Sequence, residues 1–157
     1  MLKKISVGGW IACAAALLTL VSLIVYSSNI GAEGYFKNAS VSGLVLWTIL
    51  ALVMLVVAIV LKTLDLSDGA AKAIDLIVGA LQIGAPVLLA LSLINLIAAR
   101  VEGLGFIYFS NADVILEVQT PANLASATGA IASMVCFGVA MLAALIAAFC
   151  NLRKKEA

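Results

Sequence analysis

Four long apolar runs limit the folds open to this chain: 5–26, 43–61, 73–99 and 125–150. Each is long enough to cross the roughly 30 Å hydrocarbon core of a bilayer, which takes about 20 helical residues. Backbone N–H and C=O groups find no water in hydrocarbon. A spanning segment must therefore be a helix or belong to a closed barrel. These runs are continuous and lack the in–out alternation of a barrel strand. The sequence predicts an all-α membrane protein, a single four-transmembrane-helix domain over residues 1–157. Composition agrees: 65% of residues are hydrophobic and 11% charged, against about 25% charged in a soluble domain.

Basic residues give an orientation. Lys3, Lys4, Lys62, Lys72, Arg153, Lys154 and Lys155 lie on one side of a four-span topology, and only Lys37 and Arg100 on the other. The positive-inside rule then makes both termini cytoplasmic in a multi-pass protein of the cell membrane. Trp10, Tyr26 and Trp47 fall near span ends, where aromatic belts form. The first run is longer than the 7–15 residues of a signal-peptide core, so it reads as an uncleaved helix. The short loops fit a bacterial source, in which the sequon Asn38-Ala39-Ser40 would carry no glycan.

The inner link, 62–72, is short and polar, with Ser67 or Asp68 placed to cap the third helix. The first outer loop, 27–42, carries Gly31, Gly34, Tyr35, Phe36 and Lys37. The second, 100–124, is less expected. Two β-prone runs, 105–109 and 114–120, flank the turn-like tetrad Ser110-Asn111-Ala112-Asp113, and Pro121 comes next. This pattern predicts a β-hairpin cap outside the membrane. An isolated hairpin is marginal in water. It is expected to pair with the Tyr35-Phe36 segment, to lie on the membrane surface, or to meet a partner. Tyr35, Phe36, Phe106, Tyr108, Phe109, Asp113 and Glu117 form the candidate outer partner surface.

No ionisable residue lies in the middle of a span. Asp75, Gly79, Gln82 and Pro86 follow four–three–four spacing and share one face of the third helix. Two readings fit: a polar notch for a substrate or ion, or an interhelical hydrogen bond packed at a kink. Asn95 lies on another face, placed to bond a neighbouring helix or an outer loop. Small residues recur at the same spacing in the first helix (Gly8, Ala12, Ala15, Thr19, Ser22) and in the fourth (Ser126, Gly129, Ser133, Cys136, Ala140, Ala143, Ala147). Such faces let helix backbones approach closely in lipid. In the second helix Thr48 is the one polar side chain between Leu44 and Leu61, so that helix reads as facing lipid or another subunit.

The chemistry of catalysis is thin. The chain has no histidine, no paired carboxylates within a span, and no Gly-rich phosphate loop. Cys13, Cys136 and Cys150 lie in apolar runs and do not form a disulfide framework. No metal site, no cofactor and no enzymatic activity are expected, and a net charge of +1 gives no reason for a nucleic-acid partner. The expected role is a non-catalytic structural or accessory subunit that self-associates or binds a larger membrane or surface complex. The alternative is a small transporter or channel component built on the third-helix face.

Overall fold

The computed structural model of the protein describes residues 6–63 and 68–152. Five helices succeed one another: α1 (Val7–Gly31), α2 (Leu44–Thr63), α3 (Asp68–Phe109), α4 (Ala112–Val118) and α5 (Pro121–Ala148). Helices α1, α2, α3 and α5 are long and apolar enough to cross a membrane. They form an up–down–up–down ring in which α1 packs on α2 and α5, and α3 packs on α2 and α5. The expected cap at Ser67 and the basic residues Lys3, Lys4, Arg153, Lys154 and Lys155 lie outside the described residues.

The buried residues explain the ring. In α1 the main stripe runs Gly8, Ala12, Ala15, Thr19, Ser22, Tyr26, Asn29, with Gly9 and Ala16 buried beside it. In α2 they run Leu44, Thr48, Ala51, Leu55, Ala58, and in α5 Ser126, Ala130, Ser133, Phe137, Ala140, Ala144, Ala147. All three stripes alternate steps of four and three. A strict seven-residue repeat keeps one narrow face inward and is the pattern of left-handed, small-angle helix packing. The inward faces are dominated by Ala, Gly, Ser and Thr. The outward faces carry the bulk: Leu17, Val21 and Ile24 on α1, Leu46, Val53 and Val60 on α2, Val135, Val139 and Leu142 on α5 are all exposed. Small inside and large apolar outside is the reverse of a soluble bundle and suits a lipid solvent.

Hydroxyls inside the ring are satisfied within their own helices. Thr19 donates to Ala15 O (2.8 Å), Ser22 to Leu18 O (2.7 Å), Thr48 to Leu44 O (2.7 Å) and Ser133 to Gly129 O (2.8 Å). Thr48 is buried, with its Oγ1 3.4 Å from Ser92 Oγ of α3. The polar face of α2 therefore meets α3, and its lipid-facing surface is the opposite, valine-rich one.

The expected β-hairpin does not form: there are no strands among the described residues. The first β-prone run continues α3 to Phe109, and the second becomes α4. The cause is the inward stripe of α3. Ala85, Leu89, Ser92, Leu96, Arg100, Gly103 and Ile107 are all buried and stay on the three–four repeat well past the predicted span end. Burial of that face favours helix over the β propensity of Phe, Ile and Tyr, which is a context-dependent preference. Two local signals then fix the starts of α4 and α5. Asn111 Oδ1 accepts from Val114 N (3.0 Å) to cap α4, and Thr120 Oγ1 accepts from Asn123 N (3.2 Å) to cap α5, with Pro121 at its first turn. A three-stranded sheet with Tyr35-Phe36 is likewise excluded, since residues 35–38 form turns.

Candidate functional site

Two regions gather the polar and aromatic residues singled out in the sequence. They lie at opposite ends of the ring. The proximal end holds the start of α1 and the end of α5; the distal end holds segment 32–43, the extension of α3, and α4.

At the proximal end, Lys62 of α2 pairs with Asp75 of α3 at 2.5 Å. Asp75 is largely exposed, so this pair is a surface ion pair of small energetic weight. About two turns further in, Gln82 Nε2 donates to Ala147 O (2.9 Å) and lies 3.4 Å from Cys150 O. Ala147 lies in the last turn of α5, where its carbonyl also accepts from Cys150 N (3.1 Å), and Cys150 follows just after that helix. Gln82 thus ties α3 to the end of α5. Pro86 is buried and offers no N–H to the Gln82 carbonyl. Gly79 has open space where a side chain would stand. The four residues share a helix face, yet Asp75 engages α2 and Gln82 engages α5, so they do not converge on one cavity. Beside Pro86 the α3–α5 groove, of about 460 Å³, is lined by Ile83, Pro86, Val87, Ala90, Met141, Leu145, Ala148 and Phe149, without a charged or hydrogen-bonding side chain. Asn95 is not bonded to a neighbour. Its Nδ2 donates to Leu91 O of its own helix (2.8 Å).

The small residues of α1 and α5 sit within this chain. A Cβ on Gly8 would meet Cys150 Cβ at 2.4 Å and Asn151 O at 2.6 Å, and one on Gly129 would meet Asn29 Nδ2 at 2.3 Å. Ala12, Ala15, Thr19, Ser133 and Ala140 are buried, while Cys136 is half-buried. The seams are therefore occupied by intrachain packing.

At the distal end, segment 32–43 is bolted onto the bundle. Gly34 (φ +127°) and Gly43 (φ +74°) adopt backbone conformations that favour glycine, and Asn38 (φ +57°) occupies the left-handed region that asparagine tolerates. Phe36 N donates to Ser126 Oγ (3.0 Å), Val41 N to Tyr26 Oη (2.7 Å), and Asn38 N to Ile30 O (2.8 Å). Asn29 Nδ2 donates to Ser126 O (2.8 Å). Arg100, only 3% exposed, donates through Nη2 to Ala39 O and stacks its guanidinium 4.7 Å from the Phe36 ring centroid. Its Nε has no partner. Gly103 leaves room for two rings: a Cβ there would fall 2.6 Å from Tyr35 and 2.7 Å from Phe36.

Phe36, assigned from the sequence to an outer surface, is therefore buried beneath Arg100. Tyr35 is half-exposed and lies against Phe106 (centroids 5.9 Å apart). Tyr108 is half-buried, whereas Phe109 and Leu116 are 86% and 84% exposed. Glu102, Asp113 and Glu117 are exposed. Arg100 and Leu116 are two participants that the sequence pattern does not mark. Arg100 stands at a span boundary, where a basic residue reads as an anchor, and Leu116 reads as one residue of a strand.

Among the described residues no group of three metal-ligating side chains comes together. No protein-family model matches the chain, and no curated protein and no solved structure is similar to it.

Proposed function

We propose that this chain is a non-catalytic accessory subunit of a membrane complex, anchored by its four helices and presenting its distal end to a partner outside the bilayer. One observation carries the reading: α3, with the start of α5 beside it, reaches past the distal end of α2. The distal start of α2 lies level with about Leu96, one turn short of Arg100, because Thr48 meets Ser92 across the two antiparallel helices. The 20 residues of α2 rise about 30 Å, the thickness of the hydrocarbon core, and leave little excess. Helix α3 continues for nine residues past Arg100, a further rise of about 13 Å. The headgroup layer on each side is roughly 5–8 Å thick. Phe109 then stands beyond the headgroups, apolar and 86% exposed.

The proximal polar line supports the same reading. Gln82 is committed to carbonyls at the end of α5, and Asp75 to Lys62. The groove beside Pro86 is apolar and faces outward, which suits lipid tails rather than a polar solute.

The test is extraction into bilayer nanodiscs followed by native mass measurement, together with flux assays in proteoliposomes. An accessory subunit gives an assembly with at least one other protein and no solute flux. Flux that Gln82→Leu or Asp75→Asn abolishes, with assembly intact, would establish the transporter alternative instead.

A further inference from the structure

We propose that the distal end is a docking site for a basic, apolar-bearing segment of a partner protein. The inference rests on the accessory-subunit reading and names the chemistry of the partner. Three observations lead to it.

The first is the anchor. Phe109 ends α3 and Leu116 lies on α4, each more than four-fifths exposed. Both are held on ordered backbone. Gln119 Nε2 donates to Ile107 O (3.1 Å) and Asn123 Nδ2 to Val118 O (2.8 Å), fixing α4 against α3 and α5. A scaffold already held by hydrogen bonds has less backbone to order on binding.

The second is the charge exposed at the same end. Glu102, Asp113 and Glu117 are exposed at this end. The two basic residues described there are committed elsewhere: Arg100 is buried under segment 32–43, and Lys37 pairs with Glu33. The free charge is thus of one sign. Complementary potential selects a basic partner and speeds its encounter.

The third is exclusion of other occupants. A second copy would bring its own Glu102, Asp113 and Glu117 to the contact, and like charges across an interface oppose association. The membrane surface is also a poor match. Phe109 stands above the headgroup layer, and acidic side chains avoid anionic lipid. A protein bearing Lys or Arg beside leucine-like side chains satisfies both the anchor and the rim.

The full chain in nanodiscs of zwitterionic lipid is titrated with three fluorescent peptides: a Lys/Leu amphipathic helix, its Glu/Leu counterpart, and a Lys/Ser peptide without apolar residues. Empty nanodiscs measure binding to lipid. The Lys/Leu peptide is expected to bind above the empty-disc level and the other two are not. Phe109→Ser with Leu116→Ser should weaken it about tenfold or more, as loss of central anchors does. Glu102→Gln, Asp113→Asn and Glu117→Gln together should weaken it at low salt and flatten its salt dependence. All five positions are exposed, and unchanged elution of the variants confirms folding. Equal binding of Lys/Leu and Lys/Ser peptides, insensitivity to either variant set, or no binding above empty discs would each overturn the proposal. So would a crosslink between two copies through a photoreactive residue at position 109. If native extraction still yields a heteromeric assembly, the accessory reading stands while the docking site fails; a chain that is alone and conducts solute fails both.

Discussion

Gly34→Ala should be among the most damaging single-methyl additions to this protein, and its size can be worked from the geometry. Gly34 has φ +127°, a conformation open essentially to glycine, and holding another residue there costs about 1–3 kcal/mol. The added Cβ would also lie 2.4 Å from Ala122 O and 2.6 Å from Ser126 Cβ. Ala122 O is backbone in the first turn of α5, so no side-chain rotation relieves the clash. Overpacking of this kind costs about 1–3 kcal/mol more. The expected loss is therefore about 2–6 kcal/mol. Movement of segment 32–43 away from α5 would lengthen the Phe36 N–Ser126 Oγ bond, now 3.0 Å.

Three residues earlier, Gly31 provides a control of opposite sign. It is the last residue of α1, its φ is not positive, and nothing lies within 4 Å of the added methyl. Gly31→Ala should stabilise by about 0.4–1 kcal/mol through reduced freedom of the unfolded chain. Reversible unfolding in mixed micelles titrated with SDS, monitored by the fluorescence of Trp10 and Trp47, measures both. If Gly34→Ala lies within about 0.5 kcal/mol of the wild type, smaller than either cost above, segment 32–43 does not sit on α5 as described.

Arg100→Met should leave the four-helix ring intact but release segment 32–43, because a charge-assisted hydrogen bond and a cation–π contact are lost together; hydrogen exchange at the Phe36 and Val41 amides should speed up about tenfold or more. Gly8→Val should force the start of α1 away from the segment after α5, raising the rate of maleimide labelling of Cys150, which is half-buried in the wild type. Gln82→Leu should cost roughly 1 kcal/mol in the SDS titration, the net worth of an ordinary hydrogen bond, while leaving partner binding at the distal end unchanged. Gly79→Ala, with open space around it in the interior of α3, should stabilise by about 0.5–1 kcal/mol.

How far the sequence discloses this molecule depends on which force decides each part. The four spans are legible because hydrophobicity alone decides them: the runs at 43–61 and 125–150 differ from α2 and α5 by a few residues at each end. The distal end is harder to read because two signals compete there. Taken locally, Phe106, Ile107, Tyr108 and Phe109 favour a strand, and Ser110 to Asp113 a turn. Taken with the residues before it, the same stretch continues a repeat. Leu96, Arg100, Gly103 and Ile107 extend the buried stripe that includes Val78 and Ala85, and the glycine at 103 is where Tyr35 and Phe36 pack. The periodic signal is present but broken in appearance, since a buried arginine and a glycine occupy positions where a hydrophobic reading looks for leucine. Arg100 is an inward residue: α3 continues past it, and segment 32–43 folds over it to supply Ala39 O and the Phe36 ring. A residue that resembles an interfacial anchor is thus the pivot on which the distal architecture turns. That also accounts for the one-sided charge of the surface: of the two basic residues described at this end, one is buried and the other is paired with Glu33, so the carboxylates of Glu102, Asp113 and Glu117 stay exposed without a counter-charge of their own.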